Sequence, residues 1–294
     1  ILHSEKINLR IFEHFSLKNT KTLNLQTWKT FKNKARKIKK EVNLAIVGKY
    51  FNLTESYKSL YEAIFHSSVY NNVKVKVDWI DSMQIKKFDD CSKVLEKFNG
   101  ILVPGGFGKR GVGGKILAIR YAKKTLKPFL GICFGMQLAI LESIRNIKGY
   151  ENATSSEFSR KKNNVISFMN EWVSQSKIHT QDKKNYGGSM RLGSYDSILK
   201  KGSKISKIYK KNKISERHRH RYEVNCNFKK IIESSGVIFS GMSPDGKLAE
   251  VMEINHHPWF IGVQYHPELK SRPLDPHPIF NSFVNALIKN KENG

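Results

Sequence analysis

Apolar residues recur along this chain in two rhythms. Short unbroken runs, Val42-Asn-Leu-Ala-Ile-Val47, Gly100-Ile-Leu-Val103 and Pro128-Phe-Leu-Gly-Ile132, end in Pro-Gly or a tight turn and predict buried strands. Residues 73–80 alternate Val73, Val75, Val77 and Trp79 with polar neighbours, as a strand does when its two faces differ. Between these runs lie helical stretches: 55–67 behind a Thr54 cap, 136–142, and 278–288 with Ile279, Phe280, Phe283, Val284, Leu287 and Ile288 on one stripe. Further strands are expected at 222–225, 236–240, 249–253 and 260–265. Strands alternating with helices predict an α/β fold, a three-layer sandwich around a mostly parallel central sheet.

Two segments depart from this texture. Residues 1–40 read as two short helical pieces with Leu23, Leu25 and Trp28 as apolar anchors and a Lys-rich exit at Lys37-Ile-Lys-Lys40. They are too small for a domain, so residues 1–41 are expected to be the tail and linker of something upstream, and 42–294 one domain. An opening without Met fits a fragment. Residues 151–215 are polar, Lys- and Asn-rich and weakly patterned, and read as loops and edge hairpins. No internal repeat is evident.

Composition then narrows the class. The 294 residues carry 52 Lys plus Arg against 25 Asp plus Glu, a formal charge of +27. Residues 1–40 hold 11 basic and 2 acidic side chains, a net +9, and the other +18 is scattered through polar loops. Basic residues interleaved with stacking aromatics are missing, so the charge reads as a solvated surface and no nucleic-acid partner is expected. Three cysteines far apart in sequence, at 91, 133 and 226, make neither a disulfide framework nor a zinc site and favour a reducing, cytoplasmic compartment. No run approaches the ~20 apolar residues of a membrane span, and no signal peptide opens the chain, so no membrane partner is expected.

Candidate chemistry begins at Gly131-Ile-Cys133-Phe-Gly135, between an apolar strand and a helix. That is the context of a nucleophile elbow, with Cys where hydrolases place Ser; the thiol would stand at the carboxyl edge of a sheet beside the positive end of a helix. The plain alternative is a buried cysteine between packing glycines. A second element, Gly262-Val-Gln-Tyr-His266-Pro-Glu268, ends a strand. In extended chain residues i and i+2 share a face, so Glu268 is placed to bond one imidazole nitrogen while the other meets the thiol. His256 and His257 lack such a carboxylate and read as structural or surface residues. Soft ligands at metal spacing are absent, so no metal is expected. Third, Val103-Pro-Gly-Gly-Phe-Gly108 offers outward amides, which an oxyanion hole needs, or is an ordinary glycine turn. Fourth, Glu216-Arg-His-Arg-His-Arg-Tyr-Glu223, as a strand, puts Arg217, Arg219 and Arg221 on one face and His218 and His220 on the other. One such arginine facing a pocket holds a carboxylate; Glu157, alone in a polar loop, suits an ammonium.

Together these strings, with Val47-Gly-Lys-Tyr50, Tyr57-Lys-Ser59, Arg110-Gly111, Met136-Gln137 and Gly187-Gly-Ser-Met-Arg-Leu-Gly193, resemble the class I glutamine amidotransferase family over about residues 42–283. The resemblance implies a flavodoxin-like sheet and L-glutamine as substrate. It implies Cys133 as nucleophile, His266 as proton carrier and Glu268 as its orienting partner. Glutamine contacts carry over to Gly106 beside the oxyanion, to Phe134, Gly135, Met136 and Gln137 after the nucleophile, to Glu157 on the amino group and to Arg221 on the carboxylate. Phe134 stands where the family more often has Leu. The runs Arg217 to Glu223 and Met190 to Gly193 resemble one branch, in which the domain follows a synthetase domain of the same polypeptide. That branch implies ATP and Mg²⁺ in the synthetase domain, which aminates UTP, GTP as an activator, and a homotetramer. No cofactor is implied in this domain. A catalytically weak regulatory module and a γ-glutamyl hydrolase with the same triad are the other readings.

Overall fold

The computed structural model describes residues 5–18, 24–49, 57–159, 163–168, 171–174, 177–180 and 190–293. It divides into two compact units, Ile1–Lys37 and Ile38–Gly294. The first holds helices α1 (Ile7–His14) and α2 (Gln26–Lys37), neither of which buries a side chain. Trp28 is half exposed, so the expected apolar anchoring is not seen within this unit; Leu23 lies outside the described residues.

The second unit runs β1 (Glu41–Gly48), α3 (Lys58–Tyr70), β2 (Lys74–Asp81), α4 (Phe88–Leu95), β3 (Gly100–Val103), α5 (Val112–Lys124), β4 (Phe129–Ile132) and α6 (Phe134–Ile144). There follow β5 (Thr154–Ser155), β6 (Asn164–Phe168), β7 (Glu171–Ser174), β8 (Lys177–Thr180), β9 (Arg191–Leu199), α7 (Lys204–Tyr209), β10 (Lys213–His220) and β11 (Tyr222–Val224). It closes with α8 (Lys229–Ser234), β12 (Val237–Met242), β13 (Ala249–Ile254), β14 (Phe260–Val263) and α9 (Pro278–Asn293).

Nine strands form one sheet in the order β10-β9-β12-β13-β14-β4-β3-β1-β2. The strands β2, β1, β3, β4 and β14 pair in parallel, and the remaining pairings are antiparallel. The parallel part has the 2-1-3-4-5 order of the flavodoxin-like doubly wound fold. Its inner strands β1, β3, β4 and β14 are largely apolar on both faces because both are covered, whereas the edge strand β2 alternates. Along β1, Ala45 and Val47 join the core beneath α4, α5, α6 and α8, while Leu44 and Ile46 join the core beneath α3, α7 and α9. Phe129 and Phe260 stack across the β4–β14 pair with centroids 4.3 Å apart. Helix α6 is buried all round, in keeping with its apolar sequence.

Three boundaries differ from expectation. Helix α3 begins at Lys58, with Thr54 and Glu55 outside the described residues, and runs on to Tyr70 because Ser67, Ser68 and Val69 are buried. It ends where Asn72 takes a left-handed conformation, φ 54°. Residues 151–215 hold more than loops and edge hairpins: β9 and β10 do form an edge hairpin, but it belongs to the main sheet. Strand β14 stops at Val263, two residues early. Much of the Lys161 to Tyr186 stretch, and Gly187, Gly188 and Ser189, lie outside the described residues. Among the described residues no helix is long and apolar enough to cross a membrane.

Two adjacent glycines of α5 give a sharp test of this packing. A Cβ on Gly114 would lie 1.8 Å from the Ser82 carbonyl oxygen, backbone that cannot swing aside, whereas one on Gly113 meets nothing within 4 Å. Gly114→Ala is expected to cost about 2–3 kcal/mol of stability. Gly113→Ala should be neutral or stabilising by up to about 1 kcal/mol, from helix propensity alone. Urea denaturation midpoints of the two variants check the contrast.

Candidate active site

Cys133 follows β4 and is the N-cap of α6, with φ 52° and ψ −102°. A non-glycine residue held there costs about 1–3 kcal/mol, so the surroundings must enforce it. They do so by close approach. A Cβ on Gly135 would sit 2.1 Å from the Val103 carbonyl oxygen, and one on Gly131 2.8 Å from the Gly135 carbonyl carbon. Only glycine at both places lets α6 turn back tightly against β3 and β4. The Cys133 N–H donates to Val263 O at 2.7 Å, tying the turn to β14. Cys133 is 5% exposed, buried but not sealed, and sits at the positive end of α6.

His266 arrives from the segment after β14. Its N–H donates to Arg217 O at 2.8 Å, so β10 fixes the backbone there. Its Nδ1 lies 2.7 Å from Glu268 Oε1. The approach is not the extended one expected from the sequence: Pro267–Leu269 is a 3₁₀ turn with Pro267 at its first position, where the missing N–H is not needed. The imidazole packs over Gly105, whose Cβ position is 2.8 Å from Cε1. Burial alone pushes the ring's pKa down, but Cys133 and then Glu268 outweigh it and hold His266 well above its ordinary value. His266 thus bonds Glu268 through Nδ1 and lies close enough to Cys133 to feel its charge, while its buried Nε2 makes no hydrogen bond among the described residues. The other cysteines are elsewhere; burial pushes the Cys91 thiol up to about 11 and raises Cys226 as well.

The 105–108 loop is pinned from three sides. Gly108 N–H donates to Glu157 Oε1 at 2.6 Å, which brings the isolated carboxylate of the 151–159 loop to the site. Lys49 Nζ donates to Phe107 O at 2.5 Å. Behind Gly106, the Lys115 ammonium lies 3.8 Å from the glycine's Cβ position and 5.1 Å from the Phe134 ring centroid. Burial raises the pKa of Glu157, while the Gly108 N–H, Lys49 and Lys115 pull it back.

Of the other expected contacts, the Phe134 and Met136 side chains face the core; Met136 packs on Gly262. Gln137 Nε2 donates to Tyr222 O at 2.8 Å and to Gln264 Oε1 at 3.1 Å, which anchors the chain beside Arg221 to α6. Arg217 and Arg219 are exposed and His218 and His220 are buried, so the expected division of faces holds along β10, but Arg221 lies half-buried in the bend after the strand ends at His220 and does not share the arginine face. His256 is exposed, and buried His257 links to Ala122 O and to the Trp259 N–H.

Sequence reasoning missed several neighbours. Gln264 Nε2 donates to Cys133 Sγ at 3.6 Å; its place two residues before His266 was the available signal. Lys115 sits in an apolar helical run, where a single Lys reads as solvent-exposed. A buried cluster also lies behind His266. Arg191 bonds Glu223 at 3.1 Å and Glu250 at 2.6 Å, and His218 Nδ1 meets His220 Nε2 at 2.9 Å. Burial, and then Arg191, push both imidazoles well below their usual value. Burial lifts Glu223 to about 8 despite Arg191. Glu216, on the same strand as these histidines, meets His277 and Tyr209, and Tyr209 in turn meets Tyr265. An open groove of about 1100 Å³ lies at the amino ends of β4 and β14 among Pro128, Pro258 and Trp259, away from Cys133.

The family model described as Glutamine amidotransferase class-I matches residues 52–286. A CTP synthase from Pelagibacter ubique (strain HTCC1062) is 53% identical over 287 residues, which cover 98% of this chain and 53% of that protein. The CTP synthase of Agrobacterium fabrum is 50% identical over 288 residues, with the same coverage of 98% and 53%. The chain therefore spans about half the length of the curated relatives it matches. Among solved structures, the glutaminase domain of Trypanosoma brucei CTPS with bound acivicin is 34% identical with a TM-score of 0.76, covering 84% of this chain and 94% of that one. By sequence and by fold, the chain belongs to the class I glutamine amidotransferases.

Proposed function

We propose that this chain is the glutaminase part of a CTP synthase, with residues 42–294 as the amidotransferase domain and 1–41 as the end of a synthetase domain and its linker. Cys133 Sγ attacks the side-chain amide carbon of L-glutamine. The amide oxygen takes up the negative charge and is met by the backbone N–H groups of Gly106 and Phe134. Collapse breaks the C–N bond as His266 gives its proton to the departing ammonia, leaving a γ-glutamyl thioester. Water then attacks the thioester, His266 takes its proton, and glutamate leaves with Cys133 restored. Glu268 keeps the imidazole oriented throughout.

The observation that carries this reading is the strained Cys133 elbow at the end of a parallel strand, with the His266–Glu268 pair delivered to it. Glu157 and Arg221 are assigned to the α-ammonium and α-carboxylate of glutamine; Phe134, Gly135, Met136 and Gln137 frame the amide. The domain itself needs no cofactor. In the longer protein the ammonia passes to a synthetase domain that uses ATP and Mg²⁺ to convert UTP to CTP, GTP stimulates the glutaminase, and the assembly is a homotetramer in the cytoplasm. The 294-residue chain by itself is expected to release ammonia from glutamine slowly and to make no CTP from ATP and UTP; abundant CTP would contradict the division of labour.

A glutamine-mimicking diazoketone tests the nucleophile, since its methylene carbon bonds to sulfur as N₂ departs. Intact mass should show one adduct, lost in Cys133→Ala and kept in Cys91→Ala and Cys226→Ala. Labelling that survives Cys133→Ala would sink the assignment. Turnover of γ-glutamyl peptides in preference to glutamine would favour a peptidase instead.

The raised pKa of His266 fixes a pH sign. The ring is cationic below that raised value and can protonate ammonia, so thioester formation declines as pH rises through it. Glu268→Gln removes one of the two groups that lift the ring and should move this alkaline limb to lower pH. Single-turnover acylation measured against pH reads the shift, and an unmoved limb would contradict the role of Glu268.

A further inference from the structure

Gln264 stands just past the end of β14 and two residues before His266, so one short segment brings an amide and an imidazole toward the same sulfur. It is fully buried, and its backbone N–H donates to Glu250 O at 2.9 Å, which ties it to β13. A side-chain amide has one accepting end and one donating end of nearly the same shape, and its neighbours decide which end points where. Here the neighbours leave one arrangement. Tyr222 O, a backbone carbonyl, can only accept, and Gln137 Nε2 donates to it at 2.8 Å. The same nitrogen donates to Gln264 Oε1 at 3.1 Å. With its oxygen facing Gln137, Gln264 turns its NH₂ to Cys133 Sγ, 3.6 Å away. The sulfur is therefore met by a donor whose orientation is set two side chains away, by a carbonyl that cannot change role.

We propose that Gln264 is a further catalytic residue of this site: its amide donates to the Cys133 sulfur and favours the ionised form over the thiol. The inference rests on the assignment of Cys133 as nucleophile. An ionised acceptor makes a shorter hydrogen bond, about twice as strong as a neutral one. In the attack a sulfur electron pair becomes the S–C bond of the thioester, and the donated bond slackens. When water's adduct collapses, that pair returns to sulfur and the amide holds it again. The amide keeps both protons throughout, and proton transfer stays with His266. The Gln137 side chain acts through Gln264 and positions it. Charges around the sulfur come from other elements, since β3, β4 and β14 carry none. His266 and Glu268 approach from the 3₁₀ turn, and on α6 Glu142 pairs with Arg120 and Lys123. Lys115 lies beside Gly106, Glu157 and Lys49 bond the 105–108 loop, and Glu250 of β13 pairs with Arg191.

Iodoacetamide reads the sulfur directly: its methylene carbon bonds to Sγ as iodide leaves, and the thiolate is the reacting form. Peptide masses resolve Cys133 from Cys91 and Cys226 in the 294-residue chain. Gln264→Met, similar in length but without the donor, should move the acid limb of Cys133 alkylation about one pH unit higher. Gln264→Glu keeps an oxygen for Gln137 but turns a second one on the sulfur, and should move the limb at least as far. Both shifts should persist in a His266→Ala background, because the amide acts on sulfur and not through the imidazole. A side chain that only packs would lower activity or stability and leave the limb in place. An unmoved limb in both variants, or a shift that vanishes without His266, would overturn the inference. Should neither variant fold, the wild-type chain decides. Its Gln264 side-chain amide resonances should move with the alkylation midpoint and stay still in Cys133→Ser; resonances indifferent to the sulfur would overturn the inference. A shifted limb in a chain that does not hydrolyse glutamine would uphold the donor and overturn the glutamine assignment alone.

Discussion

The backbone contact on which this site depends is the approach of α6 to β3 and β4 at Gly131 and Gly135. With Val103 O occupying the space a Cβ would need, the chain after β4 must reverse within three residues, and Cys133 is left at positive φ. Everything else converges on that point. The Cys133 N–H anchors to β14, the same strand leads into His266, and the glycine loop after β3 lies under the imidazole. Three parallel neighbours, β3, β4 and β14, thus each contribute one part from their carboxyl ends, as doubly wound sheets generally do.

Much of this was legible in the amino-acid sequence, for identifiable reasons. Strands buried on both faces read as short apolar runs, so β3 and β4 announce themselves, and the alternation of β2 follows its half-covered position. The glycine, cysteine and histidine strings were visible because their chemistry needs particular residue types. The β9–β10 hairpin was not visible as part of the main sheet, since its inward face carries Arg191, Ser197, Glu216, His218 and His220 where a core strand would carry Val or Ile. Periodicity arguments count apolar residues and are blind to a face built from paired charges and neutral imidazoles. Lys115 was illegible for the converse reason, a charged residue buried beside Gly106 and the Phe134 ring, which are not its neighbours in sequence.

The buried polar hairpin has its own logic. An edge strand presents unpaired backbone groups, and inward-pointing charges are one way to keep such an edge from adding further strands. In β10 those same groups are locked by Arg191, Glu250, His277 and Tyr209, which fixes the strand whose Arg217 carbonyl holds His266. Removing either partner of such a pair leaves a charge stranded in the interior, at a cost of about 3–5 kcal/mol, so the network tolerates little change.

The short turn at Pro267–Leu269 carries one consequence beyond geometry. His266 and Glu268 ride on the same few residues, outside the sheet, whereas Cys133 is embedded in its centre. A brief excursion of that turn would carry the imidazole and its carboxylate partner away together and leave the sulfur where it was. Parting the pair from the sulfur therefore takes only a sub-global fluctuation, far less costly than melting the sheet.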